Sequence, residues 1–130
     1  MVDDIQDLSF NVNETQKEYD LEERTFRFAR DVRDFLKRVK ATIINTEYIK
    51  QLIRASGSVG SNYIEANEAL GKKDFLMHVR ISNKEAKESR YWLRLLDIEN
   101  DKDLENTRDG LIKEAQELKN IFGKIISKSQ

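Results

Sequence analysis

Between residues 49 and 96, apolar and small side chains recur at alternating steps of three and four. They are Ile49, Leu52, Ser56, Val59, Tyr63, Ala66 and Leu70, then, after Gly71, Phe75, Val79, Ser82, Ala86, Ser89, Leu93 and Leu96. That period belongs to a helix burying one stripe, so the stretch predicts two long antiparallel helices joined at Gly71. The middle of each stripe is small, with Ser56, Gly57 and Gly60 on one and Ser82, Ala86 and Ser89 on the other, which lets two helix axes approach closely. The same rhythm appears upstream as Leu21, Thr25, Phe28, Val32, Phe35 and Val39, widened by Ala29, Leu36 and Ile43. Downstream it returns as Leu104, Arg108, Leu111, Ala115, Leu118, Phe122 and Ile125, with Ile112 and Ile121 alongside.

These spacings predict helices over about 21–44, 46–70, 72–98 and 103–126. Asp20 and Thr46 are the N-caps expected for the first two, and Asp74 suits the first turn of the third. Four helices of comparable length with short connections give an all-α, up-down-up-down four-helix bundle. Gly57 and Gly60 each cost about 1 kcal/mol relative to Ala inside a helix, so they should answer a packing or binding need or mark a break.

The first 20 residues lack a sustained helical period, although Val2, Ile5, Leu8, Phe10 and Val12 are apolar. Residues 1–20 are therefore expected to form a flexible acidic arm and residues 21–130 the bundle domain. The net charge of -1 conceals an asymmetry: Asp3, Asp4, Asp7, Glu14, Glu18 and Asp20 against Lys17 give the arm -5, leaving +4 on the rest. Such an arm could compete with a polyanion for a basic face. A 130-residue chain is one domain by size, and 36% charged residues with no proline suit long solvated helices. With no cysteine, thiolate chemistry and disulfides are excluded. No apolar run approaches the ~20 residues of a membrane span, so a cytoplasmic protein with no membrane partner is expected.

Candidate chemistry is sparse. Di-iron bundles need two Glu-x-x-His pairs, and His78 is the one histidine. Glu65, Glu68, Glu85 and Glu88 read more simply as solvated flanks or partners of Lys and Arg than as a metal or acid–base cluster. The run Gly57-Ser58-Val59-Gly60-Ser61 lacks the Gly-Lys-Ser/Thr ending and the preceding strand of a phosphate loop. Asn13-Glu14-Thr15 matches a glycosylation triplet but follows no secretory signal. No enzyme, catalytic residue, metal or cofactor is expected.

The basic residues say more when read by face. Arg30, Arg33, Lys37 and Lys40 lie opposite the first stripe, and Lys73, Arg80, Lys84, Lys87 and Arg94 lie opposite the third, with Tyr91 among them. Rows of like charge cost helix stability and suggest a polyanion as their partner, with cations on phosphates and Tyr91 stacking on a base. Asp31, Asp34, Glu85 and Glu88 are the neighbours that could instead relieve them. Helices one and three sit on a diagonal, so one continuous basic surface requires subunits to assemble. Gly57, Ser61 and Ile64 on helix two, with Ile81, Trp92 and Leu95 on the flank of helix three, are the expected oligomer interface.

Four blocks carry a resemblance. They are Gln51-Leu52-Ile53-Arg54-Ala55-Ser56, Ser58-Val59-Gly60-Ser61-Asn62-Tyr63-Ile64-Glu65-Ala66, Lys73-Asp74-Phe75, and Lys84-Glu85-Ala86-Lys87-Glu88 with Tyr91-Trp92-Leu93. Over residues 26–125 the chain resembles the bacterial four-helix bundle proteins, also called the 23S rRNA intervening-sequence proteins, which include the accessory protein of diversity-generating retroelements. The resemblance implies a ring-like homopentamer. For the retroelement branch it also implies binding to RNA, ahead of DNA, and to a reverse transcriptase through a basic surface. The expected function is non-enzymatic binding of structured nucleic acid by an oligomeric bundle; the alternative is a protein–protein interaction scaffold that binds no nucleic acid.

Overall fold

The computed structural model describes residues 20–130, so the arm over 1–19 lies outside the described residues. Four helices make up the described fold: α1 over 20–36, α2 over Ile43–Asn67, α3 over Lys72–Leu95 and α4 over Lys102–Ser129. The all-α bundle expected from the periodicity is the observed architecture. Helix α3 packs against both α2 and α4. On the other side, α1 meets α4 where the Arg24 guanidinium donates to both Glu114 carboxylate oxygens at 2.7 and 2.8 Å. It meets α2 where the Asn67 amide donates to Glu22 at 2.7 Å. The order around the bundle is therefore α1, α2, α3, α4, with α1 and α3 on a diagonal.

The core holds the stripes that the sequence marks. Phe28, Val32 and Phe35 of α1, Leu52 and Val59 of α2, Val79 and Leu93 of α3, and Leu118 and Phe122 of α4 are all at most 2% exposed. Burying side chains of this size stabilises by roughly 1.5–3 kcal/mol each, which is why the stripe rather than helix propensity decides the fold. Tyr63 and Phe122 tie α2 to α4 through tilted rings 5.7 Å apart.

The helix ends correct the sequence reading. Helix α1 stops at residue 36, well short of 44, because the chain tightens into i→i+3 bonds: Arg38 N–H donates to Phe35 at 2.9 Å and Val39 N–H to Leu36 at 3.2 Å. Asp20 is already helical and is not the cap. Helix α2 is capped by Thr42, not Thr46; the Thr42 hydroxyl accepts from Asn45 N–H at 3.0 Å. Asn45 reads as a turn residue but is wholly buried. Its amide donates to the carbonyls of Lys40 at 3.0 Å and Asp97 at 2.8 Å and accepts from Asp97 N–H at 3.0 Å, pinning one connection to the other. Ile43, placed on the first stripe by its spacing, is 91% exposed on the first turn of α2. Leu70 lies beyond the end of α2 and is fully exposed. Helix α4 starts one residue early, at Lys102, and is capped by Asp101, whose carboxylate accepts from Leu104 N–H at 3.0 Å.

Neither glycine breaks α2, and they differ in purpose. A Cβ on Gly60 would lie 2.9 Å from Thr25 Oγ1 and 3.2 Å from its Cβ. Thr25 is 1% exposed with its hydroxyl donating to Glu22 O at 2.8 Å, so it has no room to yield. The notch at Gly60 thus admits α1, not α3. The close approach of α2 to α3 is made by Ser82, whose hydroxyl donates to Val59 O at 2.8 Å. A Cβ on Gly57 would meet nothing within 4 Å. Gly60→Ala is therefore expected to destabilise by about 1–3 kcal/mol, as overpacked cores do. Gly57→Ala is expected to stabilise by about 0.5–1 kcal/mol through helix propensity. Urea midpoints of the two variants moving in opposite directions would check both assignments.

Candidate nucleic-acid interface

The two basic rows differ in what surrounds them. On α1, Arg30 pairs with Asp31 at 3.2 Å and Arg33 with Asp34 at 3.0 Å. The Arg33 guanidinium holds the Asp34 carboxyl below the usual carboxylate range. Lys37 and Lys40 fall past the end of α1, so the row does not continue as a helical face. Lys37 approaches Asp34 at 3.9 Å, and Lys40 reaches Glu99 in the α3–α4 connection at 3.8 Å. Every cation expected on this row has an acidic partner.

On α3 the picture reverses. Lys73, Arg80, Lys84, Lys87 and Arg94 are all exposed, and among the described residues none forms an ion pair within 4.0 Å. The helix rises about 1.5 Å per residue, so the row runs for about 32 Å along the surface. The acids of α3 are turned elsewhere. Asp74 lies 3.6 Å from the Nε2 of His78, whose Nδ1 is 3.3 Å from the Asn62 amide oxygen; this histidine bridges α2 and α3. Glu85, expected to relieve the row, is 5% exposed in the seam between α2 and α3. Burial raises its pKa, hydrogen bonding to Glu88 adds to the rise, and Ser58 and Arg54 oppose it.

A folded pKa above the unfolded one means that ionised Glu85 opposes folding. Its contribution is most favourable below the unfolded value and is lost as pH rises through the folded value. Glu85→Gln is accordingly expected to raise the thermal midpoint at pH 7, with the gain vanishing below about pH 4, near the ordinary glutamate pKa. A gain independent of pH would contradict the assignment to charge burial.

Tyr91 has a structural support that its spacing did not reveal. It is 55% exposed. Its ring meets Trp92 edge-on at 5.1 Å and 76°, and Trp92 in turn lies 6.0 Å from Tyr48 of α2. Trp92 and Tyr48 are half-buried against the core and back the exposed ring of Tyr91, which shares α3 with Lys87 and Arg94. Trp92 and Ile81, both expected at an oligomer interface, are half-buried. Trp92 packs against the core with Tyr48, while Leu95 is 38% exposed.

On α2, Gly57 and Ser61 are exposed and Ile64 is 47% exposed. Two residues that the stripe analysis passed over extend this face: Phe26 of α1, 59% exposed, and Ile53 of α2, 53% exposed. The register of Thr25 against Gly60 and Glu22 against Asn67 places Phe26 level with Ser61 and Ile64. Their signal in the sequence was large apolar residues out of phase with the buried stripe.

Two further features lie away from the α3 row. A groove of about 650 Å³ between α1 and α4 is rimmed by charges of both signs, including the Arg24–Glu114 pair, and opens beside Gly110. Arg108, read as a stripe position, donates to Leu96 O at 2.8 Å and so caps the C-terminal end of α3. Among the described residues no three His, Asp or Glu side chains come together as a metal site, and no helix is long and apolar enough to cross a membrane.

Geometry and surface together define an all-α four-helix bundle whose α3 carries a row of five exposed cations without ion-pair partners among the described residues. Within that class the chain belongs to the 23S rRNA-intervening sequence protein family, whose profile matches residues 17–124. A solved structure from Bacteroides thetaiotaomicron VPI-5482, titled a protein with unknown function from the S23 ribosomal protein family, is similar. It aligns with a TM-score of 0.70 at 26% identity over 85% of this chain and 98% of that one. No curated protein matches the chain.

Proposed function

We propose that this protein is a non-enzymatic, oligomeric bundle that binds structured RNA by laying the α3 row against phosphates. The observation that carries the reading is the contrast between the rows: Arg30, Arg33, Lys37 and Lys40 have carboxylate partners, and Lys73, Arg80, Lys84, Lys87 and Arg94 have none among the described residues. Unpaired cations in a row suit a phosphate backbone, and a rigid exposed tyrosine beside them suits an unpaired base.

Assembly fits the same reading. Phe26 of α1 and Ile53 and Ile64 of α2 are exposed large apolar side chains, with the small Gly57 and Ser61 exposed on the same helix α2, which suits contact between copies. The homopentamer implied by the family resemblance would repeat the α3 row around a ring and multiply its phosphate contacts. A reverse transcriptase partner, as in the retroelement branch, belongs to the same proposal.

Titrating a fluorescently labelled RNA hairpin at low salt tests the binding, and light scattering on the same sample tests the assembly. A single species of 15 kDa would remove the assembly. Absence of binding with assembly intact would favour the scaffold alternative.

A further inference from the structure

The arm and the α3 row are matched in charge and position. Residues 1–19 carry Asp3, Asp4, Asp7, Glu14 and Glu18 against Lys17, and the family profile begins at residue 17, so the acidic arm lies almost wholly outside the part shared with the family. Among the described residues Arg30, Arg33, Lys37 and Lys40 already face carboxylates, while the five cations of the α3 row form no ion pair and follow one helix face for about 32 Å, which makes that row an extended basic surface open to an acidic segment. The arm also leaves the bundle at the right end. Asp20 and Leu21 at the head of α1 line one recess with Phe75 in the first turn of α3, beside Lys73. From there, 19 residues extend up to about 60 Å, at roughly 3.3 Å each. Because α3 lies diagonally across from α1, the path runs half way round the bundle, about 35–40 Å for helices about 10 Å across, and the remaining length of roughly 20–25 Å reaches the part of the row from Lys73 to Lys87.

We infer that the acidic arm docks on the α3 face of its own subunit and acts as an internal competitor of the polyanion that this face binds. Two consequences follow from the chemistry. The arm's carboxylates take up the ammonium and guanidinium groups when no ligand is present, and a ligand must displace them, which favours a partner with a dense run of phosphates over a single anion. Exposed pairs of this kind are individually weak and screened by salt, so displacement is easy and the competition fades as ionic strength rises.

The docking itself can be read without RNA, although the competition rests on the proposed function. Zero-length carbodiimide cross-linking of the full chain at low salt, at a protein concentration where links between copies are resolved by mixing isotopically light and heavy protein, is the first experiment. Intramolecular links from Asp3, Asp4 or Asp7 to Lys73, Lys84 or Lys87 are expected, and links confined to Lys17 or spread evenly over surface lysines would overturn the inference. The second experiment compares the full chain with a variant carrying Asp3→Asn, Asp4→Asn, Asp7→Asn, Glu14→Gln and Glu18→Gln, using the labelled RNA hairpin as probe. The neutral arm should tighten binding about tenfold at low salt, with the difference shrinking as salt is added. Equal affinities would overturn the competition. Cross-links to the row without RNA binding by either protein would sustain the docking and sink the proposed RNA function instead.

Discussion

Arg80→Glu, Lys84→Glu and Lys87→Glu together are expected to lower RNA affinity at least about a hundredfold at low salt while leaving helicity unchanged. The size of the effect follows from two changes at once: three phosphate contacts are lost and three anions are placed where the ligand backbone would run. The fold should tolerate the change because the three side chains are exposed and form no ion pair among the described residues. Reversing Arg30 and Arg33 on α1 provides the internal comparison. Those cations already face Asp31 and Asp34, so their reversal should cost far less affinity. Circular dichroism establishes that each variant is folded before its affinity is measured. Equal losses for the two rows would mean that binding responds to net charge and not to the α3 face.

The largest effect on stability is expected from Leu93→Ala or Leu118→Ala, each costing about 2–5 kcal/mol. Both side chains are wholly buried, on α3 and α4 respectively, in the one core that all four helices share. Truncation removes apolar burial and leaves a cavity in a core whose other side chains are themselves fully packed. For a domain of this size such a loss is a large part of the whole stability. Urea unfolding followed by circular dichroism would register it as a lower midpoint with an unchanged slope. Because both leucines are buried in the core and not on the outer face of α3, variants that remain folded at low temperature should bind RNA as the parent does.

Much of the fold was legible because a buried stripe leaves its period in the chain. Val79, Ser82, Ala86, Ser89 and Leu93 were placed correctly on the core face of α3, and all five are buried. What misled was the ends. Asn45 looked like punctuation because Asn favours turns, yet its amide is spent on the carbonyls of two different connections, a tertiary role with no local signal. Gly60 looked like a notch for the sequential neighbour α3, but the contact it serves is with Thr25, 35 positions upstream.

The candidate interface shows the same division. Spacing placed Arg80, Lys84 and Lys87 on one outer face. It could not show that Asp31 and Asp34 stay beside their arginines while Glu85 turns into the seam, because the first depends on side-chain rotamers and the second on how α3 packs against α2. Nor could it show that Tyr91 leans on Trp92 and Trp92 on Tyr48, which turns an exposed ring into a fixed one. Phe26 and Ile53 lie out of phase with the buried stripe, so their period carries no signal of the exposed positions they occupy.

The central claim, that the α3 row binds phosphates, is tested most directly by the affinity of the full chain for the RNA hairpin across a salt series. Five cations contacting phosphate at about 0.7–0.9 of a counterion each predict a slope of log affinity against log salt of about -3.5 to -4.5 per subunit engaged. A slope near zero, or no binding at the lowest salt, would contradict it.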